Sequence, residues 1–287
     1  MVIHEEKFHS AEELMEFLSP LNTDVWNPGY VFRGHGSVAY ALAPVALRTS
    51  GPLSAQNVFG TRSNPQDRQV NYEVSLLQSF LDGCDAAGIP IVNDSTIREE
   101  LRSIGRQGTI ISSWPPESLW SLLATAQHHG VPTCLLDWSR RSYVAAYFAA
   151  STALRSNDDG DLAVWALNIS DSSNWESLRY LRMPGATSQN LAAQDGVFTV
   201  STLKATMGGG NGSTTLDQLS DIVSRASESN PILIKSILPK SEASSLLRLC
   251  SQFGVKGSTL FPGYEGVARE VTDQAYSGID FQQRWMV

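Results

Sequence analysis

The passage from Pro115 to Leu154 constrains the fold more than any other part of the chain. Leu119, Leu122, Leu123 and Ala126 recur at helical spacing behind Pro115-Pro116. Gly130 stands where a helix C′ residue belongs, and Pro132 stops the helix from continuing. Cys134 to Trp138 then reads as a buried strand, and Ser142 to Leu154 as a helix that turns Val144, Ala145, Phe148 and Ala149 inward. Two helices flanking a buried strand over so short a span require a layered arrangement of helices on a sheet.

The rest of the chain repeats that alternation. Ser10-Ala11-Glu12-Glu13 reads as a capping box opening a helix that carries Leu14, Phe17 and Leu18 and closes at Pro20. Tyr30 to Arg33 is a brief strand, with Gly34 and Gly36 allowing a tight turn behind it. Val70, Val74, Leu77 and Leu81 mark a helix, and the charged residues 93–108 a helix with a weak apolar face. Asp161 to Ile169 is the strongest strand signal, joined by Gly196 to Leu203 and Pro231 to Leu238. Lys240 to Phe253 reads as a helix. Residues 49–68 and 204–214, the latter holding Gly208-Gly209-Gly210-Asn211-Gly212-Ser213, read as loop insertions. No interdomain spacer and no internal repeat is visible, so a single α/β or α+β domain over residues 1–287 is expected.

Composition narrows the function classes. The 287 residues are 42% hydrophobic and 17% charged, and no apolar run reaches transmembrane length. The start of the chain is too polar for a secretory signal. Cys84, Cys134 and Cys250 form no CxxC pair, which points to free thiols in a reducing cytoplasm rather than to zinc or disulfides. A net charge of −8 excludes a broad basic face for duplex DNA but leaves room for a local basic spot such as Arg140-Arg141. Of the histidines at 4, 9, 35, 128 and 129, only the last two are adjacent, and adjacent helical side chains point about 100° apart, so no metal site is expected.

Chemistry-bearing residues gather in two segments, Val31-Phe32-Arg33-Gly34-His35-Gly36 and Gln127 to Ser139. Arg33, at a strand end beside glycines, suits a phosphate held in its guanidinium fork, or an internal salt bridge. His128 and His129 end a helix, where a cation is favoured by the dipole; the alternative is a ring that contacts a ligand. Asp137 ends an apolar strand and is read as an organiser of Arg33 or His128 rather than as a catalyst. Ser139 is placed to cap the next helix. The glycine run lacks the Lys-Ser/Thr of a phosphate-binding loop, and no GxSxG nucleophile elbow is present. Glu265, beside Gly266, is exposed or ligand-facing, and Glu270 is read as solvated.

These segments resemble the FRG domain, named for the triplet that stands here as Phe32-Arg33-Gly34. The resemblance continues at Leu42 to Arg48, is strongest over Gln127 to Ser139 and Ala145 to Ala149, and extends through Ala193 to Thr199 and Leu260 to Gly266. It spans a core of roughly residues 28–270. Cys134 stands where the family leads one to expect Arg. A fainter resemblance is to mono-ADP-ribosyltransferases of the Arg-Ser-Glu type, whose order appears as Phe32-Arg33-Gly34, Asp137-Trp138-Ser139 and Glu265. No Ser-Thr-Ser run and no Glu-x-Glu or Gln-x-Glu accompanies it.

The resemblance implies an ADP-ribosyltransferase-like fold, with a central mixed sheet and surrounding helices. It implies NAD as substrate, Glu265 and Arg33 as catalytic residues, and Arg33, Gly34, His128, Ser139, Tyr147 and Phe148 as NAD-binding. Cleavage of the nicotinamide–ribose bond develops positive charge on the ribose, which a carboxylate stabilises. The acceptor would be a nucleic acid, RNA included, or a protein. The biological setting would be a cytoplasmic toxin or antiphage defence effector, held in check by a neutralising antitoxin protein. The alternative is a non-catalytic module that binds a nucleotide or phosphorylated partner through Arg33 and the His128–Ser139 junction. A hydrolase or nuclease is the third reading, for which no metal cluster or nucleophile motif is visible.

Overall fold

The computed structural model describes residues 3–26, 29–48, 65–106, 114–175, 178–183, 189–201 and 231–278. One seven-stranded mixed sheet runs through them. Its strands are β1 (His4–Lys7), β2 (Tyr30–His35), β3 (Leu135–Ser139), β4 (Leu162–Asn168), β5 (Leu178–Leu181), β6 (Gly196–Ser201) and β7 (Leu233–Leu238). Their spatial order is β1-β7-β4-β2-β3-β6-β5, with β1–β7 parallel and the other neighbours antiparallel. The helices are α1 (Ala11–Phe17), α2 (Pro65–Ala86), α3 (Asp94–Arg106), α4 (Trp120–His128), α5 (Ser142–Arg155), α6 (Gln189–Ala193), α7 (Ala243–Gln252), α8 (Gly257–Leu260) and α9 (Tyr264–Tyr276). The expected α/β class, a central mixed sheet with surrounding helices, is what the chain adopts.

The centre of the sheet follows from residue size. Every residue of β4 is buried, as a nearly continuous apolar run predicts for a strand covered on both faces. Helix α5 lies across β2 because Ala145, Ala146, Ala149, Ala150 and Ala153 keep its sheet-facing side thin. Contact is closest at Gly34, where a Cβ would stand 2.0 Å from the Ala145 carbonyl oxygen and 2.5 Å from the Ala149 nitrogen. The glycine of the Phe-Arg-Gly triplet is thus required by packing. Phe32 joins the core shared by α1, α5 and α7, while Val31 joins the core on the opposite face. A further core fills the space between α2, α3, α4 and the β3–β6 pair.

Helix ends behave as their residues dictate. Gly130 takes φ +86 just past α4, and Ser10 accepts from the Glu13 nitrogen at 3.2 Å to cap α1. Helix α3 has a firmer apolar face than its charge suggests, since Ile97 and Leu101 are buried and Arg98 folds back on Asp94 and Asp82. Strands β1 and β5 were not expected. The first is a charged edge strand, His-Glu-Glu-Lys, and the second is short and carries Arg179 outward. Residues 204–214 and 49–64 lie outside the described residues, whereas 65–68 belong to α2 rather than to a loop. Among the described residues no helix is long and apolar enough to cross a membrane.

Candidate active site

The sheet comes apart between β2 and β3. β2 pairs with β4 over six residues and β3 with β6 over five, but β2 and β3 meet only at Phe32–Ser139. Continuing that register would set Gly34 opposite Asp137. Instead the Arg33 guanidinium enters the gap, and its Nη1 donates to the Asp137 carbonyl at 2.7 Å. A backbone acceptor stripped of its ladder partner is thereby satisfied by a side chain.

The parting opens a cleft of about 380 Å³, a size typical of small-molecule sites. One wall is Phe32, Arg33 and Gly34, and the other Asp137, Trp138 and Ser139. Ala145, Phe148 and Thr152 of α5 form the floor, while Gln194, Phe261 and Arg269 close one side. Phe148 and Phe261 meet edge-on, ring centroids 6.0 Å apart, and the Arg269 guanidinium lies 4.2 Å over the Phe261 ring. Gln194 Nε2 donates to the Leu260 carbonyl at 3.1 Å, tying the C-terminal segment to the turn before β6.

Arg33 is held from two sides. Its Nε donates to His35 Nε2 at 3.0 Å, and its Nη1 stands 3.7 Å from Asp137 Oδ2. Burial pulls its pKa down, the Asp137 carboxylate pulls it up, and Arg48 pulls it down again. His35 Nδ1 lies 3.1 Å from the Tyr40 carbonyl. A carbonyl only accepts and a guanidinium only donates, so the His35 proton sits on Nδ1. Burial, then Arg33, push the His35 pKa down to about 3, and Arg48 and Lys235 add to this. A neutral imidazole therefore fixes the arginine's orientation, and among the described residues Arg33 Nη2 has no protein partner.

Asp137 is the carboxylate that lines the cleft. Its side chain is 60% exposed, and Gln127 Nε2 donates to its Oδ1 at 2.6 Å. Thr133 in turn donates to Gln127 Oε1, so the run from 127 to 137 builds a chain of hydrogen bonds that aims this carboxylate. Sequence reasoning took Asp137 for an organiser of Arg33 or His128 rather than a catalyst. It does touch Arg33, but it also faces the open cleft.

The other residues singled out from sequence divide clearly. Arg33, Gly34, Ser139 and Phe148 line the same cleft. Ser139 spends its hydroxyl on backbone, donating to the Gln194 carbonyl at 2.7 Å and accepting from the Arg141 nitrogen at 3.0 Å. Glu265 is not in the wall. It sits in the first turn of α9, exposed, with Oε1 3.4 Å from Nε of the cleft residue Arg269. His128 also lies outside the wall; burial and then His129 lower its pKa, against an opposing pull from Glu265, so the two are within electrostatic reach. Tyr147 does not face the cleft: it is buried and its hydroxyl donates to Asp273 Oδ2 at 2.6 Å. The helical period sends adjacent Tyr147 and Phe148 in different directions. Glu270, read as solvated, is bonded to Lys256 at 2.9 Å and to Ser258. The thiol of Cys134, where Arg was expected, is buried against the Glu73 carboxyl, which Gln69 at 2.7 Å and Trp114 at 3.1 Å also bond. Burial pushes both Glu73 and Cys134 up. Sequence reasoning missed Gln194, Phe261 and Arg269 as cleft residues, although all three lie in or beside segments that carry the family pattern.

Residues 28–158 match the family model of the FRG domain. The chain carries an FRG domain. No curated protein and no solved structure matches it. The matched span of the FRG domain supplies β2, β3 and α5, hence both walls and the floor of the cleft. Gln194, Phe261 and Arg269, which close the cleft, come from beyond it. Among the described residues no group of three or more His, Cys, Asp and Glu is arranged to hold a metal.

Proposed function

We propose that this protein is an ADP-ribosyltransferase that takes NAD into the β2–β3 cleft and transfers ADP-ribose to a macromolecule. The observation that carries the reading is the parting of the sheet, which gathers two guanidinium groups, a solvent-facing carboxylate and an aromatic floor in one cavity. Those are the groups the chemistry needs. Arg33, with Nη2 unspent, offers a fork to the pyrophosphate, and Arg269 offers a second cation. Phe148 and Phe261, set edge-on to each other, line an apolar corner for nicotinamide. The cavity suits the nicotinamide–ribose half of NAD, leaving the adenosine half to run along its mouth.

In the reaction the bond between ribose C1′ and the nicotinamide nitrogen breaks, and nicotinamide leaves with the electron pair. A lone pair of the acceptor forms the new bond to C1′, and the acceptor's proton passes to a carboxylate or to water. Asp137 and Glu265 are the two carboxylates suited to stabilising the charge on the ribose. Asp137 has the better position, being in the wall, whereas Glu265 reaches the site through Arg269. Ser139 has a positioning role, since its hydroxyl donates to the Gln194 carbonyl and accepts from the Arg141 nitrogen.

The test is transfer of label from ADP-ribose-labelled NAD to RNA, DNA and protein, with nicotinamide release measured in parallel. Asp137→Asn and Glu265→Gln should each lower nicotinamide release, by about 100-fold or more for the carboxylate that faces the ribose. Full activity in both variants, or no NAD turnover in wild type with cell extract supplied as acceptor, would overturn the reading. A non-catalytic receptor for a nucleotide or phosphorylated partner is the second reading. It is favoured by the Ser139 hydroxyl proton being committed to the Gln194 carbonyl, and it expects NAD or nucleotide binding that depends on Arg33 without nicotinamide release. A toxin or defence role, and an antitoxin partner, belong to the first reading and would appear as growth arrest on expression, relieved by the active-site variants.

A further inference from the structure

Arg33 Nη1 has two acceptors of one residue near it and takes the weaker. It donates to the neutral Asp137 carbonyl at 2.7 Å, while the charged Oδ2 of the same residue stands off at 3.7 Å. A guanidinium makes its shortest and strongest hydrogen bonds to carboxylate oxygens, so another group must hold this carboxylate back.

Gln127 is that group. From the last turn of α4 its Nε2 donates to Asp137 Oδ1 at 2.6 Å. The amide cannot turn round. The hydroxyl of the buried Thr133 accepts from the Leu135 nitrogen at 3.3 Å, which leaves its own proton for Gln127 Oε1. On the other side a carboxylate, which only accepts, demands the NH2 end. Thr133 is fixed in turn, since its carbonyl accepts from the Ala46 nitrogen at 3.2 Å. The Asp137 carboxylate is thus tied to a buried anchor through a single amide. A hydrogen bond to a charged acceptor outweighs an ion pair that is not hydrogen-bonded and has one partner 60% exposed. The hold of Gln127 therefore prevails over the pull of Arg33.

We propose that Gln127 is a positioning residue that keeps the cation and the anion of the cleft apart. Arg33 is then hydrogen-bonded, among the described residues, to neutral acceptors only, His35 at Nε and the Asp137 carbonyl at Nη1. Its charge stays available to an incoming anion, and the charge of Asp137 to an incoming cation. Without the amide the two close into a salt bridge, and each spends its charge on the other. The separation stands on the hydrogen bonds alone. Its use, for pyrophosphate at Arg33 and for ribose at Asp137, rests on the transferase reading.

The test takes full-length Gln127→Met, which keeps the length of the side chain and removes both hydrogen bonds, beside Asp137→Asn and the double variant Gln127→Met/Asp137→Asn. In the crystal structure of Gln127→Met, Asp137 Oδ2 should close on Arg33 Nη1 to about 3 Å. In calorimetry with ADP-ribose, Gln127→Met should bind about 10-fold or more weakly than wild type, the worth of one charge-assisted hydrogen bond. The double variant should bind as well as Asp137→Asn, because Arg33 no longer has a carboxylate to pair with. Nicotinamide release should show a raised KM and a lowered kcat in Gln127→Met, and recovered affinity without turnover in the double variant. A Gln127→Met protein that binds ADP-ribose as wild type does, or whose Asp137 stays apart from Arg33, overturns the proposal. So does a double variant as weak as Gln127→Met, which would make Gln127 a support of the fold and nothing more. If wild type neither binds ADP-ribose nor releases nicotinamide, closure of the pair in the Gln127→Met crystal upholds the separation and the transferase reading fails alone.

Discussion

A neutral histidine beside a permanent cation is an unusual choice, and His35 shows what it achieves. A carboxylate facing Arg33 Nε would bind the guanidinium more strongly, but its charge would compete with the anion the guanidinium is meant to hold. Imidazole accepts the same hydrogen bond without spending the charge. The choice has a consequence for acid stability. The His35 pKa is about 3 when folded and about 6.5 when unfolded. Its contribution is complete above pH 6.5 and is lost as pH falls from there toward 3, because the unfolded chain binds the proton first. The limit is a loss of about 1.4 kcal/mol per pH unit. Glu73 works in the opposite sense: its raised pKa makes the folded state hold the proton, so stability declines as pH rises from about 4.5 to its folded value. His35→Gln, which can still accept from Arg33 and donate to Tyr40, should flatten the decline between pH 6.5 and 4.5 in urea-denaturation midpoints. An identical slope in variant and wild type would mean that another group governs this window.

Helix α9 is pinned to α5 near its far end. Asp273 is buried and accepts from Tyr147 at 2.6 Å, from Ser151 at 2.9 Å and from Arg155, all on α5. Burial and the Asp273 carboxylate push the Tyr147 pKa up. One turn before Asp273, α9 presents Arg269 to the cavity; Glu265, one turn earlier, stays exposed outside the wall. Asp273→Asn leaves an amide facing donors and should cost about 3 kcal/mol, while Tyr147→Phe removes one donor and should cost about 1 kcal/mol. Chemical denaturation measures both. Tyr147→Phe should leave ligand affinity unchanged; a loss there would restore Tyr147 as a ligand contact. The aromatic run at 147–148 was legible as important but not as to which ring faces the site, because that depends on where α9 docks. Helices and strands with strong apolar periodicity, such as α5 and β4, were readable because burial alone specifies them. The cleft was only half readable. Its walls lie in two segments rich in Gly, Arg, His, Asp and Trp, whereas Arg269 is one more charged residue on a helix until packing turns it inward.

At the scale of the whole molecule, the span that matches the FRG model and the unit that folds are different things. The match ends at residue 158, yet the strands that hold the matched ones come later. β2 has six paired residues with β4 and one with β3; β3 has five with β6. β1 has only β7. A chain cut after residue 158 keeps β1, β2 and β3 but loses β4, β6 and β7, leaving the Phe32–Ser139 pair as the sole tie within the sheet. Val31, Leu136 and Trp138 would then lose the core they share with Ala163, Trp165, Leu167 and Val197. Helix α5 would keep β2 and β3 but lose β4 and its packing partner α7. The same topology that leaves β2 and β3 free to part, and so makes the cleft, makes each of them dependent on a strand from the later half. The fragment 1–158 should therefore be soluble only in denaturant, or show no cooperative unfolding and no near-ultraviolet circular dichroism from its tryptophans. The full chain should show both. A sharp thermal transition in the fragment would mean that the matched span folds by itself and that the later strands are an addition to it rather than its frame.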